Sequence, residues 1–169
     1  MAKTLTALFV LSVLVPASAA AQKLVILSRH AERADGGAMS GTAEKDPPLS
    51  KAGENRAAKL AAMLADAGVT AIFASEFKRT QDTAKPLATR LGLTVQVMPA
   101  DDTSQLVARI RKEHANGIVM IVGHSDTLPA IIKALGGPGV TIPDSEFDNL
   151  FVLAPASKAF TRFRFSPAP

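Results

Sequence analysis

A chain of 169 residues has room for one domain of ordinary size, and 47% hydrophobic with 20% charged residues is enough to build and solvate a core. That balance excludes a disordered chain, and a formal charge of +4 without Trp or Tyr argues against nucleic acid as a partner. Cysteine is absent, which excludes disulfides, a thiol nucleophile and Cys-ligated zinc.

Met1-Ala2-Lys3 is a basic start, Leu5 to Val15 is apolar, and Pro16-Ala17-Ser18-Ala19-Ala20-Ala21 supplies small residues of the kind a signal peptidase reads. The apolar run is shorter than the roughly 20 residues that span a bilayer. A cleavable secretory signal over residues 1–21 is therefore expected, cut before Ala20 or Gln22, with a single domain over 22–169. The mature protein would then lie in the periplasm or outside the cell, with no stable membrane anchor.

Leu24-Val25-Ile26-Leu27 reads as a buried strand, and residues 30–49 as a loop. Ser50 can cap a helix reaching Ala67, with Glu54 in its first turn and Gly68 as its stop. Ala71 to Ala74 is a second strand, followed by a helix over Phe77–Leu91 that Pro86 should kink. Thr94–Met98 is a third strand and Thr103–His114 a third helix. Ile118 to Val122 gives the strongest strand signal, and Thr127–Leu135 is helical up to the Gly136-Gly137-Pro138-Gly139 breaker. Leu150–Leu153 and Phe160–Phe165 are closing strands. Strands spaced by helices predict an α/β three-layer sandwich, with a mostly parallel sheet and helices on both faces.

In such a sheet, ligands bind beyond the carboxyl ends of the strands. The first strand runs into Ser28-Arg29-His30-Ala31-Glu32, the second into Ser75-Glu76-Phe77-Lys78-Arg79-Thr80, and the fourth into Gly123-His124-Ser125-Asp126. Taken singly, Ser75 could be a helix cap, Arg79 a solvated side chain and His124 a hydrogen-bonded strand terminus. Together they bring two imidazoles and two guanidinium forks to one rim. That set suits a tetrahedral anion, because arginine grips phosphate oxygens bidentately and neutral histidine can attack phosphorus.

Arg29-His30-Ala31-Glu32 resembles the Arg-His-Gly signature of the histidine phosphatase superfamily, the phosphoglycerate mutase-like proteins. Leu49-Ser50-Lys51-Ala52-Gly53 is similar to the family's Leu-Thr-x-x-Gly helix start. Ser75 to Ala84 resembles its Ser-x-x-x-Arg-x-x-x-Thr-Ala segment, and Val122-Gly123-His124-Ser125 its second histidine motif. The resemblance implies a phosphatase without cofactor or metal, acting on a small phosphorylated substrate. His30 would become phosphohistidine, while Arg29, Arg79 and His124 bind the phosphoryl oxygens and Ser75 joins the substrate site. Ala31 departs from the usual glycine, which is tolerable at negative φ. The short span between Arg79 and His124 leaves no room for the mutases' insertion and favours the short bacterial phosphatase type. The proton donor stays open: Asp102 is named first, with Asp101, Asp126 and Glu32 as alternatives.

Three other readings compete. Gly123-His124-Ser125-Asp126-Thr127 brushes a nucleophile elbow, but no histidine follows it as a serine hydrolase requires. Zinc on His30, His124 and an aspartate lacks a second ligand at helical spacing. A phosphate- or phosphosugar-binding module without turnover is the alternative of a different class. Beyond the phosphoryl group, segments 34–48 and 136–148 are expected to line the pocket.

Overall fold

The structure is a computed structural model that describes residues 23–36 and 46–165. The expected signal segment, and residues 37–45 of the expected pocket loop, lie outside the described residues. Among the described residues, no helix is long and apolar enough to cross a membrane.

The elements run β1 (Leu24–Arg29), α1 (Lys51–Met63), β2 (Ala71–Ser75), α2 (Lys78–Leu91), β3 (Val95–Met98), α3 (Thr103–Glu113), β4 (Ile118–Gly123), α4 (Thr127–Ala134), β5 (Asn149–Ala154) and β6 (Ala159–Arg164). They form one six-stranded sheet in the order β3-β2-β4-β1-β5-β6. The first four strands of that order are parallel; β5 and β6 are antiparallel.

Alternation along each strand assigns residues to the two faces. Val25, Leu27, Phe73, Val119, Ile121, Phe151 and Leu153 pack with Leu106 and Ile110 of α3 and with Leu128 and Ile132 of α4. Ile26, Ile72, Ala74, Met120, Val122 and Leu150 pack with Leu60 and Ala61 of α1 and with Leu87 and Ala88 of α2. Burying a side chain such as Phe73, 1% exposed, contributes about 1.5–3 kcal/mol. Parallel connections are right-handed, so the direction of each crossover decides which face its helix covers. The crossovers through α1 and α2 lead toward the β3 edge, and those through α3 and α4 lead back. The three layers follow.

The centre of the sheet pairs β4 with β1, with Arg29 opposite Gly123 at the carboxyl ends. The chain leaves β1 toward one edge and β4 toward the other, which opens a crevice between their ends. Because β5 is antiparallel, its first residue Asn149 enters at that same rim. The segment 136–148 is thereby delivered to the crevice.

Two local features sharpen the sequence reading. Helix α1 starts as expected, with Ser50 Oγ accepting from Gly53 N at 3.1 Å, but it ends at Met63, short of Ala67. Over the following residues the bonds tighten to a three-residue span, Ala65 N to Ala62 O and Ala67 N to Leu64 O, before Gly68 reverses the chain at φ 70°. Helix α2 runs unbroken past Pro86 and ends at Gly92 in the left-handed region.

Candidate active site

Arg29, His30, Arg33, Phe77, Arg79, His124, Asp126, Asp144 and Phe147 are among the residues lining a cleft of about 800 Å³ at this rim. His30 follows β1 directly, and its backbone N–H donates to Gly123 O at 2.9 Å, tying the ends of the two central strands together. Its Nδ1 lies 2.7 Å from the Ala31 carbonyl. A carbonyl oxygen only accepts, so Nδ1 carries the proton and Nε2 keeps its lone pair. Burial, with the neighbouring His124, Arg29 and Arg79, pushes the His30 pKa down to about 3. The ring is neutral at any ordinary pH, with the lone pair of Nε2 free.

The loop holding this ring is fixed from two sides. Ala31 N–H donates to Thr83 Oγ1 at 2.9 Å, and Thr83 donates to the Arg79 carbonyl at 2.7 Å. On the other side Ser50 N–H donates to the Glu32 carbonyl at 2.9 Å, and a Cβ on Gly53 would collide with that same oxygen. The glycine of the Leu49–Gly53 motif is thus a close-approach residue for the loop that carries His30. Lys158 is the only non-glycine with positive φ among the described residues, so Ala31 sits at negative φ and its methyl is accommodated, fully buried with Leu49 and Ala57.

His124 faces His30 with ring centroids 5.3 Å apart. Its Nε2 is 2.8 Å from Ser75 Oγ, which is 2.8 Å from Thr80 Oγ1. Thr80 spends its proton on a backbone carbonyl, Phe77 O at 2.7 Å or Ser75 O at 3.0 Å. Ser75 must then donate to Thr80 and accept from His124 Nε2–H, which leaves Nδ1 of His124 unprotonated. Arg79 Nη2, 3.5 Å from that Nδ1, approaches it as a donor in agreement. Burial first, and Arg79 second, lower the His124 pKa to about 4. Ser75, expected in the substrate site, stands behind His124 and is not part of the cleft wall.

The two expected arginines are brought together, and a third joins them. Arg29 Nη1 donates to the carbonyls of Pro143, Asp144 and Glu146 at 3.2, 2.7 and 3.2 Å, and its guanidinium lies 4.1 Å over the Phe147 ring. Arg79 stacks at 4.2 Å on Phe77 and reaches Asp46 at 3.6 Å. Both carboxylate oxygens of Asp46 also accept from Lys78 N at 3.0 Å, giving α2 the cap that Phe77 cannot supply. The Nε atoms of Arg29, Arg33 and Arg79 are buried and have no hydrogen-bond partner. Burial lowers the pKa of Arg29 and of Arg79, with nearby arginines adding to the shift. Three guanidinium groups lining one cleft supply the positive charge that an oxyanion site requires.

The carboxyl candidates separate. Asp126, exposed at the start of α4, lines the cleft and acts electrostatically on Arg29, Arg79 and His124. Asp102 caps α3, accepting from Gln105 N and Ser104 Oγ at 2.9 Å, and neither it nor Asp101 lines the cleft. Glu32 is turned away into a bidentate pair with Arg56, both oxygens 2.9 Å from Nε. Burial works against its charge, but the Arg56 hydrogen bonds outweigh burial and hold its pKa below the usual carboxylate range. Arg33, Asp46 and Asp144 were not singled out as individual residues, although Asp46 and Asp144 fall in the segments 34–48 and 136–148 expected to line the pocket. Asp46 lay in a Pro-rich loop with no periodic pattern to mark it. Among the described residues, no three His, Cys, Asp or Glu side chains come together as a metal site.

Comparison with known proteins gives a consistent placement. Residues 25–100 match the histidine phosphatase superfamily (branch 1) profile. No curated protein sequence matches the chain. Among solved structures, the protein histidine phosphatase SixA complexed with tungstate superposes with a TM-score of 0.64 at 20% identity, over 85% of this chain and 97% of that one. SixA from Agrobacterium tumefaciens gives 0.63 at 23% identity, over 88% and 99%. Mycobacterial glucosyl-3-phosphoglycerate phosphatase with inorganic phosphate gives 0.62 at 18% identity, over 86% and 97%. Over residues 25–100 the chain is thus similar to the histidine phosphatase superfamily, branch 1, and its fold is that of these phosphatases.

Proposed function

We propose that the protein is a metal-independent phosphatase that hydrolyses phosphomonoesters, or phosphohistidine, through a phosphohistidine on His30. The observation that carries this reading is that His30, with its Nδ1 committed to the Ala31 carbonyl and its Nε2 unprotonated, lines one cleft with Arg29, Arg79 and His124. In the first step Nε2 attacks phosphorus, the P–O bond to the leaving group breaks, and the leaving oxygen takes a proton. In the second, water attacks phosphorus, the P–N bond breaks, and inorganic phosphate departs with the imidazole neutral again. Arg29 and Arg79 supply the positive charge against the equatorial oxygens. His124 joins them by taking a proton on Nδ1 when the dianion binds, its Nε2–H being held by Ser75.

Asp126 is the proton donor of this proposal, since of the four carboxyl groups considered it alone lines the cleft. Replacing it with Asn should slow substrates with poor leaving groups at least tenfold more than p-nitrophenyl phosphate. The phosphatases that share the fold support the reaction class. The Leu5–Val15 run and the small residues after it support export to the periplasm or medium, with cleavage near Ala19–Gln22.

Acid-quenched protein should carry an acid-labile phosphoryl group on the peptide containing His30, and EDTA-treated protein should keep its turnover. Phosphate binding without hydrolysis would instead make the chain a binding module. The amino-terminal residue of the exported protein, read by mass spectrometry, tests the leader.

A further inference from the structure

Phe77 and Phe147 both line the cleft, are half-buried, and take no part in the reaction derived above. They arrive by different routes. Phe77 lies immediately before α2, on the turn from β2, and close to Arg79 in the chain. Phe147 belongs to the segment that β5 delivers to the rim, far from Arg29 in sequence. Both end in the same arrangement. The Arg29 guanidinium lies 4.1 Å over the Phe147 ring, and that of Arg79 lies 4.2 Å over the Phe77 ring. The same rings meet the two imidazoles, Phe147 at 5.9 Å from His30 with 57° between the planes, and Phe77 at 5.2 Å from His124 with 89°. With His30 and His124 5.3 Å apart, Arg29, Phe147, His30, His124, Phe77 and Arg79 form an unbroken series of planar groups.

A guanidinium grips two oxygens of a tetrahedral anion at once only if its plane is held, because the fork has a fixed geometry. Hydrogen bonds settle that plane poorly here. The three carbonyls on Arg29 all converge on Nη1, which pins one corner of the group. The polar contacts of Arg79, to His124 Nδ1 at 3.5 Å and to Asp46 at 3.6 Å, are at or past the limit of a hydrogen bond. A ring face against each guanidinium supplies what is missing. It fixes the plane, attracts the cation to its quadrupole, and occupies none of the in-plane N–H donors. The contact of the same ring with an imidazole limits how far that imidazole can turn.

We propose that Phe77 and Phe147 are positioning residues, each ring fixing the plane of one arginine and the tilt of the neighbouring imidazole for capture of a phosphoryl group. The inference rests on the phosphatase reading for the group captured, while the hold of the rings is measurable without it. Calorimetry with inorganic phosphate reads the capture. Phe77→Leu and Phe147→Leu keep apolar bulk but lack a π face, and each should weaken phosphate binding about fivefold. An unchanged urea midpoint shows that the variants are folded. Phe77→Tyr and Phe147→Tyr should recover most of the loss, because the ring face is restored.

In an Arg79→Ala background, Phe77→Leu should cost less than about twofold in kcat/KM, since a ring that acts through Arg79 has nothing left to hold. An equal loss in both backgrounds overturns the proposal. So does a higher KM for p-nitrophenyl phosphate with phosphate binding unchanged, which would make the rings a wall for the leaving group. NMR of the ligand-free protein reads the hold itself. Ring current should move the side-chain Hε signals of Arg29 and Arg79 upfield, and each Phe→Leu change should return only the arginine that lost its ring. Arginine signals unmoved by either change would overturn the proposal as well. If the wild type fails to bind phosphate, the phosphatase reading falls, and these signals still decide whether the rings hold the forks.

Discussion

Two arginine–carboxylate systems grow from the same stretch of chain and end differently. Glu32 and Arg56 form a closed pair: Arg56 is 8% exposed, forks onto both carboxylate oxygens and donates to the Phe165 carbonyl at 3.2 Å. Arg29, Arg33 and Arg79, one element away, each keep a buried nitrogen without a partner. Residue type does not distinguish the two systems; satisfaction does. A buried charge with all its bonds made is part of the frame, and charges left short of a partner where they line a cleft are free to meet a ligand.

Perturbing each system should give opposite signatures. The largest effect lies at the open system's centre: His30→Ala should lower p-nitrophenyl phosphate turnover by at least about 10³-fold and abolish the phosphoryl-protein. Arg79→Ala should cost about 10²–10³ in kcat/KM with little change in the urea midpoint, since the residue it removes was incompletely bonded. Glu32→Leu should do the reverse, costing about 3–5 kcal/mol in urea unfolding because it strands a buried Arg56. Equal damage to stability by the Arg79 and Glu32 changes would erase the distinction.

Acid provides a milder probe. His30 and His124 are held neutral, with pKa values of about 3 and about 4 against 6.5 when unfolded. Below pH 6.5 the unfolded chain binds more protons, so stability should fall with pH until each folded pKa is reached, by up to about 1.4 kcal/mol per group per pH unit. Thermal melts between pH 7 and 4.5 should show this slope, and tungstate should flatten it by favouring a protonated His124. The smallest effect is expected for Ser75→Ala, about tenfold in kcat, with a change in the His124 tautomer visible by ¹⁵N NMR. Unchanged nitrogen shifts would remove Ser75 from the positioning role.

Most of the fold was readable because strands and helices here obey their periods. The apolar runs ending at Leu27, Ala74 and Val122 point directly to Arg29, His30, Ser75 and His124, since a parallel sheet places ligands at strand ends. The residues that escaped are those whose role depends on approach through space. Asp46 caps a helix that starts at Lys78, and Asp144 lies more than a hundred positions from Arg29, which it meets at 3.7 Å. Asp102 was ambiguous because a residue that caps a helix and one that donates a proton look alike in sequence. Only its bonds to Gln105 and Ser104 tell them apart. Glu32 was ambiguous in the same way, lying two residues after His30 in sequence while facing Arg56 in space.

The segment that holds Arg29 is itself anchored from afar. Glu146 Oε2 lies 2.7 Å from both Arg162 and Arg164, and Asn149 joins it at 2.9 Å, so the loop is strapped to the outermost strand, β6. The reacting centre thus has a handle on the far margin of the sheet, where solvent-facing side chains can vary without disturbing the core. Reversing the charge of Arg162 or Arg164 offers a route to retune affinity for the anion at arm's length. A fusion partner attached beyond Phe165 would tug on the same rope.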